Sequence, residues 1–210
     1  QLLRKDLCME AIRLAFILSE NPLTNTAETN ALLALMCFQS SRFDARANDH
    51  GEAVLIEEQD KSLWNTELIE KGNQYIALSC KGDTLSKYHL EAAIAYWHTT
   101  SAADHKWPCI LQLYNELVLL EYSPITALNR TFAFAKVYGH EKAIEQAKKL
   151  NLDDHNSFHS LLGYLYAPSH ISEAISHYNK ALALTKSETE KQTLRKEINR
   201  LSGKTTSSTK

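Results

Sequence analysis

Residues 158–184 read FHSLLGYLYAPSHISEAISHYNKALAL, and this stretch decides the fold. Apolar and aromatic side chains recur at helical spacing on both sides of Pro168, which predicts two helices, 156–167 and 170–185, joined by a short turn. Pro168 falls just past the first helix, where its missing N–H is harmless. The small residues Gly163, Ala174 and Ala181 let two such helices approach closely, while Tyr166 and Tyr178 fill the gaps between neighbouring hairpins. The composition agrees. The 210 residues include only 6 Gly and 4 Pro, where average usage would give roughly 25 together. That shortage excludes collagen and disfavours a turn-rich β-sandwich, and it fits long helices with few breaks. With 44% hydrophobic and 23% charged residues, the chain is globular and far from the signature of disorder.

Outward from this hairpin, the same period predicts helices at 2–20, 26–40, 60–79, 86–100, 105–121, 124–138 and 140–150, and one more at 187–201. Asn21-Pro22 stops the first. Thr26 can cap the second and Asp60 the third, which Lys81-Gly82-Asp83 ends with a basic turn followed by Gly. Leu63, Trp64, Leu68, Tyr75, Ile76 and Leu78 are expected near the buried side of that third helix. Residues 41–59 lose the period. They read as an ordered loop with a turn at His50-Gly51 and one short extended piece, Ala53-Val54-Leu55-Ile56. Residues 202–210 are polar and read as a disordered tail. The expected fold is all-α, about ten helices in one domain over 1–201. Leu162, Gly163, Tyr166, Ala174, Tyr178 and Ala181 resemble the tetratricopeptide (TPR) consensus, although the interval from Gly163 to Ala174 is one residue short of it. Elsewhere only echoes remain, such as Ala11, Ala15 and Leu18 or Ala143 and Ala147. The resemblance implies an irregular TPR-like stack of antiparallel helix hairpins, an α-α superhelix.

Charge narrows the function. The 23 Lys+Arg are balanced by 25 Asp+Glu for a net charge of −2, without the basic excess or stripe that a phosphate backbone demands. Direct nucleic-acid binding by this segment is therefore not expected. Cys8, Cys37, Cys80 and Cys109 form no CxxC pair and read as reduced thiols of a cytoplasmic protein. No apolar stretch reaches the ~18 residues needed to span a bilayer. Helical spacing is already under way at Leu2, Leu3 and Leu7 behind Gln1, so the chain is expected to be the C-terminal part of a longer protein.

Chemical motifs are sparse. His155 and His159 have the i, i+4 spacing of two metal ligands, but no carboxylate completes a His-Glu-x-x-His pattern. His98, His105 and Cys109 fit no ligand signature. Gly203-Lys204-Thr205 lacks both the earlier Gly and the preceding strand of a phosphate loop. Glu57-Glu58 has no visible cleft for acid–base work. The sequence thus offers no catalytic, cofactor-binding or metal site, and it reads as a non-enzymatic protein. The 42–65 segment is the part least explained by packing. Arg42, Arg46, Asp49, Glu52, Glu57, Glu58, Gln59 and Asp60 precede Trp64, and such a set either staples the loop to the helices or forms a partner-binding epitope.

The residues here also carry a family resemblance. Arg42-Phe43-Asp44-Ala45-Arg46, followed by Asp49-His50-Gly51-Glu52-Ala53-Val54-Leu55-Ile56-Glu57-Glu58-Gln59-Asp60-Lys61-Ser62-Leu63-Trp64-Asn65, resembles the signature stretch of a group of extracytoplasmic-function RNA polymerase sigma factors with a TPR-like C-terminal extension. Cys8 to Leu14, Tyr88 to Ala95, Leu113-Tyr114-Asn115, Ser123-Pro124 and Ala127-Leu128-Asn129-Arg130 extend it over about 7–201. The family favours Asp-Gly where His50-Gly51 stands, Arg where Lys61 stands and a second Arg where Leu63 stands. The resemblance implies a regulatory domain that modulates transcription initiation, with polymerase-binding and promoter-reading regions before Gln1. Its expected partners are RNA polymerase, those sigma core domains or a signalling protein. Arg42, Arg46, Asp60, Trp64, Asn129 and Arg130 are the candidate partner-binding residues. The alternative is a stand-alone TPR-type adaptor that binds a peptide or protein.

Overall fold

The computed structural model describes residues 4–48, 54–82, 84–100 and 105–207. Among them are ten α-helices and no sheet: α1 Lys5–Glu20, α2 Ala27–Ser40, α3 Thr66–Ser79, α4 Lys87–Thr99, α5 Lys106–Leu120, α6 Pro124–Tyr138, α7 His140–Lys148, α8 Asn156–Tyr166, α9 Ile171–Leu184 and α10 Glu188–Ser207. Within each unit, successive helices pack as antiparallel hairpins, as the periodicity predicts. They group into two units, Gln1–Glu121 and Tyr122–Lys210, where the sequence suggested one domain over 1–201.

In the first unit α2 is central, packed on α1, α3 and α4, and α5 lies against α4. Thr26 starts α2 by accepting the Thr29 N–H at 3.1 Å, which satisfies one of the donors a helix leaves open. The face that follows, Ala31, Leu33, Ala34, Cys37 and Phe38, is at most 1% exposed. Phe38 sits directly on Gly72 of α3, where an added Cβ would lie 2.6 Å from the ring. Tyr96 of α4 closes the other side, edge-on with centroids 6.1 Å apart.

The third helix starts later than its period suggests. Asp60 does act as a cap, accepting the Ser62 N–H at 2.9 Å, but it caps a 3₁₀ turn, Lys61–Leu63. Asn65 caps α3 by accepting the Leu68 N–H at 3.0 Å. Between the two caps Trp64 is extended, so the helix cannot run through it. Trp64 is buried there at 8% exposure while Leu63 turns outward at 49%. The loop after α2 begins with a 3₁₀ turn, Phe43–Ala45. Of the expected extended piece, Val54 is tied back to the start of the loop, its N–H donating to the Arg46 carbonyl at 2.9 Å. Ile56 already lies in a turn, and His50-Gly51 and Ala53 lie outside the described residues.

In the second unit α6 packs on α7 and α8, α7 on α8, α8 on α9 and α9 on α10. Gly139 alone joins α6 to α7, with φ at +90°, a value that glycine adopts without strain. Its N–H closes α6 on the Ala135 carbonyl at 2.9 Å and its carbonyl opens α7 by accepting the Ala143 N–H at 3.3 Å. The hairpin of α8 and α9 closes where the sequence indicated: a Cβ on Gly163 would lie 2.7 Å from the Tyr178 ring. Leu194 and Leu201 bury the inner face of α10. The helix then runs through Ser207, past the expected end at 201. No proline intervenes, and the Ser202 hydroxyl donates back to the Ile198 carbonyl at 2.9 Å. Residues 208–210 lie outside the described residues.

Candidate functional site

Arg42 and Arg46 converge at the C-terminal end of α2. Gln39, on its last turn, accepts from Arg42 Nη2 at 2.8 Å and from Arg46 Nη2 through the same amide oxygen; Arg46 Nη2 also donates to the Gln39 carbonyl at 3.1 Å. One neutral amide therefore holds both guanidinium groups. The Trp64 segment is tied to the same place, since the Asn65 N–H donates to the Ser41 carbonyl at 2.8 Å. Gln59 is tied to it through Val54, donating Nε2–H to that carbonyl at 3.2 Å.

This corner is cationic. Burial, and next the neighbouring Arg46, bring Arg42 down to about 10. Burial lowers Arg46 as well. On α4, burial pushes His98 down to about 4, with Lys106 and Arg42 adding to the effect. Burial also lowers Lys106, followed by Lys61, while Glu57 opposes the shift. The His98 ring meets Trp107 edge-on at 5.7 Å, and Lys61 Nζ lies 5.9 Å over the Trp64 ring. Neither arginine forms an ion pair with a carboxylate among the described residues.

Three of the six candidate residues, Arg42, Arg46 and Trp64, thus belong to one cluster. Asp60 is exposed and occupied with its cap, accepting from the Ser62 hydroxyl at 2.7 Å as well. Asn129 and Arg130 lie on α6, in the other unit. Sequence reasoning missed Gln39, although Gln39, Arg42 and Arg46 stand at i, i+3 and i+7, the spacing of a shared helical face. His98, which fits no ligand signature in the sequence, packs edge-on against Trp107. His159 does not pair with His155. It is buried against His177, Nδ1 to Nδ1 at 3.1 Å, and its Nε2 lies 2.8 Å from the Asp153 carbonyl. No three His, Cys, Asp or Glu side chains converge among the described residues.

A second surface lies on α1. Only Ala15 of this helix is buried. Met9, Ile12 and Phe16 line one side of a cleft of about 250 Å³ completed by Leu33, Leu68 and Tyr75. On the far side of the helix, Leu7, Leu14 and Leu18 are 56%, 51% and 46% exposed. At about 100° per residue these three fall within roughly 40° of one another and about 180° from the cleft-lining side chains. Helix α1 is therefore apolar on two opposite faces, and both meet solvent, since Met9 and Phe16 on the cleft side are 45% and 43% exposed.

Residues 1–80 match the model of a family of unknown function (DUF6596). The uncharacterized protein R00370 of Rhizobium meliloti (strain 1021) is 32% identical over 201 residues, covering 93% of this chain and 47% of the relative. The chain spans about half the length of the curated relative it matches. No solved structure matches the chain. No helix among the described residues is long and apolar enough to cross a membrane.

Proposed function

We propose that this chain is a helical-repeat interaction module that binds a protein partner along α1. The observation that carries the reading is the outer strip of α1, three half-exposed leucines on one line of the helix. A contiguous exposed apolar patch marks an interaction site. Leu7, Ala11, Leu14 and Leu18 have the alternating four- and three-residue spacing of a helix–helix seam. The partner element that fits is the apolar face of another amphipathic helix.

The test is photo-crosslinking in cells from a reactive side chain placed at Leu14 or Leu18, with Glu145 on the exposed face of α7 as control. A defined protein captured from the two leucine positions and absent at Glu145 is the expected result. Identical patterns at all three positions, or no capture at the leucines, defeat the reading.

A finer reading is that the module is the regulatory C-terminal domain of an extracytoplasmic-function sigma factor. It is supported by the family resemblance of the 42–65 stretch and by one coincidence. Arg42, Arg46, Gln59 and Trp64 carry that resemblance and also lie together in the corner after α2. On this reading the captured protein is an RNA polymerase subunit or a sigma core region. A captured partner outside transcription leaves the adaptor reading standing alone.

A further inference from the structure

Among the described residues, the corner after α2 holds more unpaired hydrogen-bond donors than acceptors. Arg42 Nε, Arg46 Nε and Trp64 Nε1 are all buried without a hydrogen-bond partner, against one buried unpaired amide oxygen, Gln59 Oε1, and the His98 Nδ1 atom, which is in the same state. The first three can only donate. Arg42 and Trp64 are 7% and 8% exposed, so water cannot freely satisfy them. A buried donor left unpaired is costly, and a buried charge without a counter-charge costs more. Two guanidinium groups share one neutral amide here, each holding Gln39 through a single Nη2. The described charges around them are mainly cationic, since Lys61 and Arg42 act on Lys106, and Lys106 and Arg42 on His98, while Glu57 opposes them at Lys106.

We propose that Arg42 and Arg46, with the indole N–H of Trp64, form a binding site for a small oxyanion, a carboxylate or phosphate group. The edge of a guanidinium presents parallel N–H donors that match two oxygens of such a group. With Nη2 on Gln39, the Nε–H of each arginine remains to meet the anion. Gln39 acts as a spacer that holds the two planar groups together against their mutual repulsion. Lys61 and Lys106 raise the local potential and so favour anion entry. The N-terminal end of α1 reaches this corner, where Cys8 acts electrostatically on Arg46 and Lys5 donates to Asp44 at 3.0 Å, but the proposal does not depend on what the outer strip of α1 binds.

The test uses the full chain at constant pH and ionic strength, with sodium phosphate, sodium acetate or an acetylated tri-glutamate peptide replacing chloride. The first readout is the Trp64 indole N–H resonance, identified by its loss in Trp64→Phe. The second is the thermal midpoint by tryptophan fluorescence. A saturable shift of that resonance is expected, with a midpoint rise of roughly 3–5 °C at ten times the dissociation constant. Both responses should vanish in Arg46→Gln and in Arg42→Lys, which keeps the charge and removes the planar fork. Should Arg42→Lys fail to fold, Arg46→Gln, at a half-buried position, decides alone. A response to phosphate or acetate assigns the site to a free anion. A response to the peptide alone assigns it to an acidic protein segment. An unmoved Trp64 resonance overturns the proposal, as does a midpoint rise that survives both arginine variants, because anion exclusion from the surface would then explain it. A response that emerges only after Asp49→Asn and Glu52→Gln overturns it too, since the chain's own acids would then be the ligand.

Discussion

The hairpin of α2 and α3 and the hairpin of α8 and α9 close on the same contact, written in opposite order. In the first, the aromatic residue comes before the glycine, Phe38 on α2 and Gly72 on α3. In the second, Gly163 on α8 precedes Tyr178 on α9. Either way a ring occupies the space where a Cβ would stand, with distances of 2.6 Å and 2.7 Å to the added carbon. The helices therefore approach by the absence of one side chain, and which helix supplies the absence is immaterial to the packing. The surroundings differ. Phe38 is fully buried beneath α4, whereas Tyr178 shares its cluster with Leu194 and Leu201 of the last helix.

The sharpest way to break this comparison is to remove each ring. Phe38→Ala should cost about 3–5 kcal/mol, and Tyr178→Ala a similar amount. All three tryptophans, Trp64, Trp97 and Trp107, lie in the first unit. Phe38→Ala is therefore expected to lower the fluorescence-detected midpoint by roughly 10 °C, and Tyr178→Ala to lower only the transition seen by far-UV circular dichroism. If each variant moves both signals equally, the two hairpins are not separable units of stability.

Acid should separate them less strongly. His98 ionises near 4 in the folded first unit and near 6.5 once unfolded. Between those values the unfolded chain binds more protons, so stability is complete above about pH 6.5 and falls by roughly 3 kcal/mol as pH drops to about 4. Fluorescence-detected urea unfolding at pH 7 and pH 4.5 should show the loss, and His98→Gln should flatten it. An unchanged slope in that variant would assign the acid response elsewhere. In the second unit burial, and next His159, lower His177, which gives the same direction of change.

The smallest effect tests the contact itself. Gly72→Ala and Gly163→Ala each introduce overpacking of about 1–3 kcal/mol, offset by about 1 kcal/mol of helix propensity. Net destabilisation should turn into net stabilisation once the opposing ring is cut back, in Phe38→Leu or Tyr178→Leu. Double-mutant cycles with the same sign in both hairpins would confirm that one device is used twice. A stabilising Gly163→Ala in the intact hairpin would mean that Tyr178 yields, and the equivalence would fail.

Legibility followed the same divide. Gly163 and Tyr178 were readable because they lie in adjacent helices in the familiar order, glycine first. Phe38 and Gly72 were not, because the long loop and a false helix start separate them. That false start has a local cause: Asp60 and Asn65 are both competent caps, and only the extended backbone of Trp64 between them decides which one opens a long helix. Helix existence followed from period throughout, as the run 124–138 shows with its proline confined to the first position, yet the end of α10 did not, since polar residues after Leu201 carry no stop signal. At the candidate site Arg42, Arg46 and Trp64 stood out by composition. Gln39 did not, because a glutamine near a helix end is unremarked until the two arginines fold back onto it. Nor does periodicity alone reveal that Leu7, Leu14 and Leu18 remain outside: it marks an apolar face without saying what covers it.

A connection of one residue between α6 and α7 has a bearing on how such chains can drift in length. Adding a single residue at Gly139 would lengthen this one-residue connection and shift α7 against α6, moving Ala143, Ile144 and Ala147, at most 8% exposed, away from the core they fill. Insertions and deletions in relatives should therefore avoid this point and collect in the longer connections, such as the one between α2 and α3. Gly139 fixes the reading phase of the second unit, and a sequence alignment that opens a gap there is misregistered.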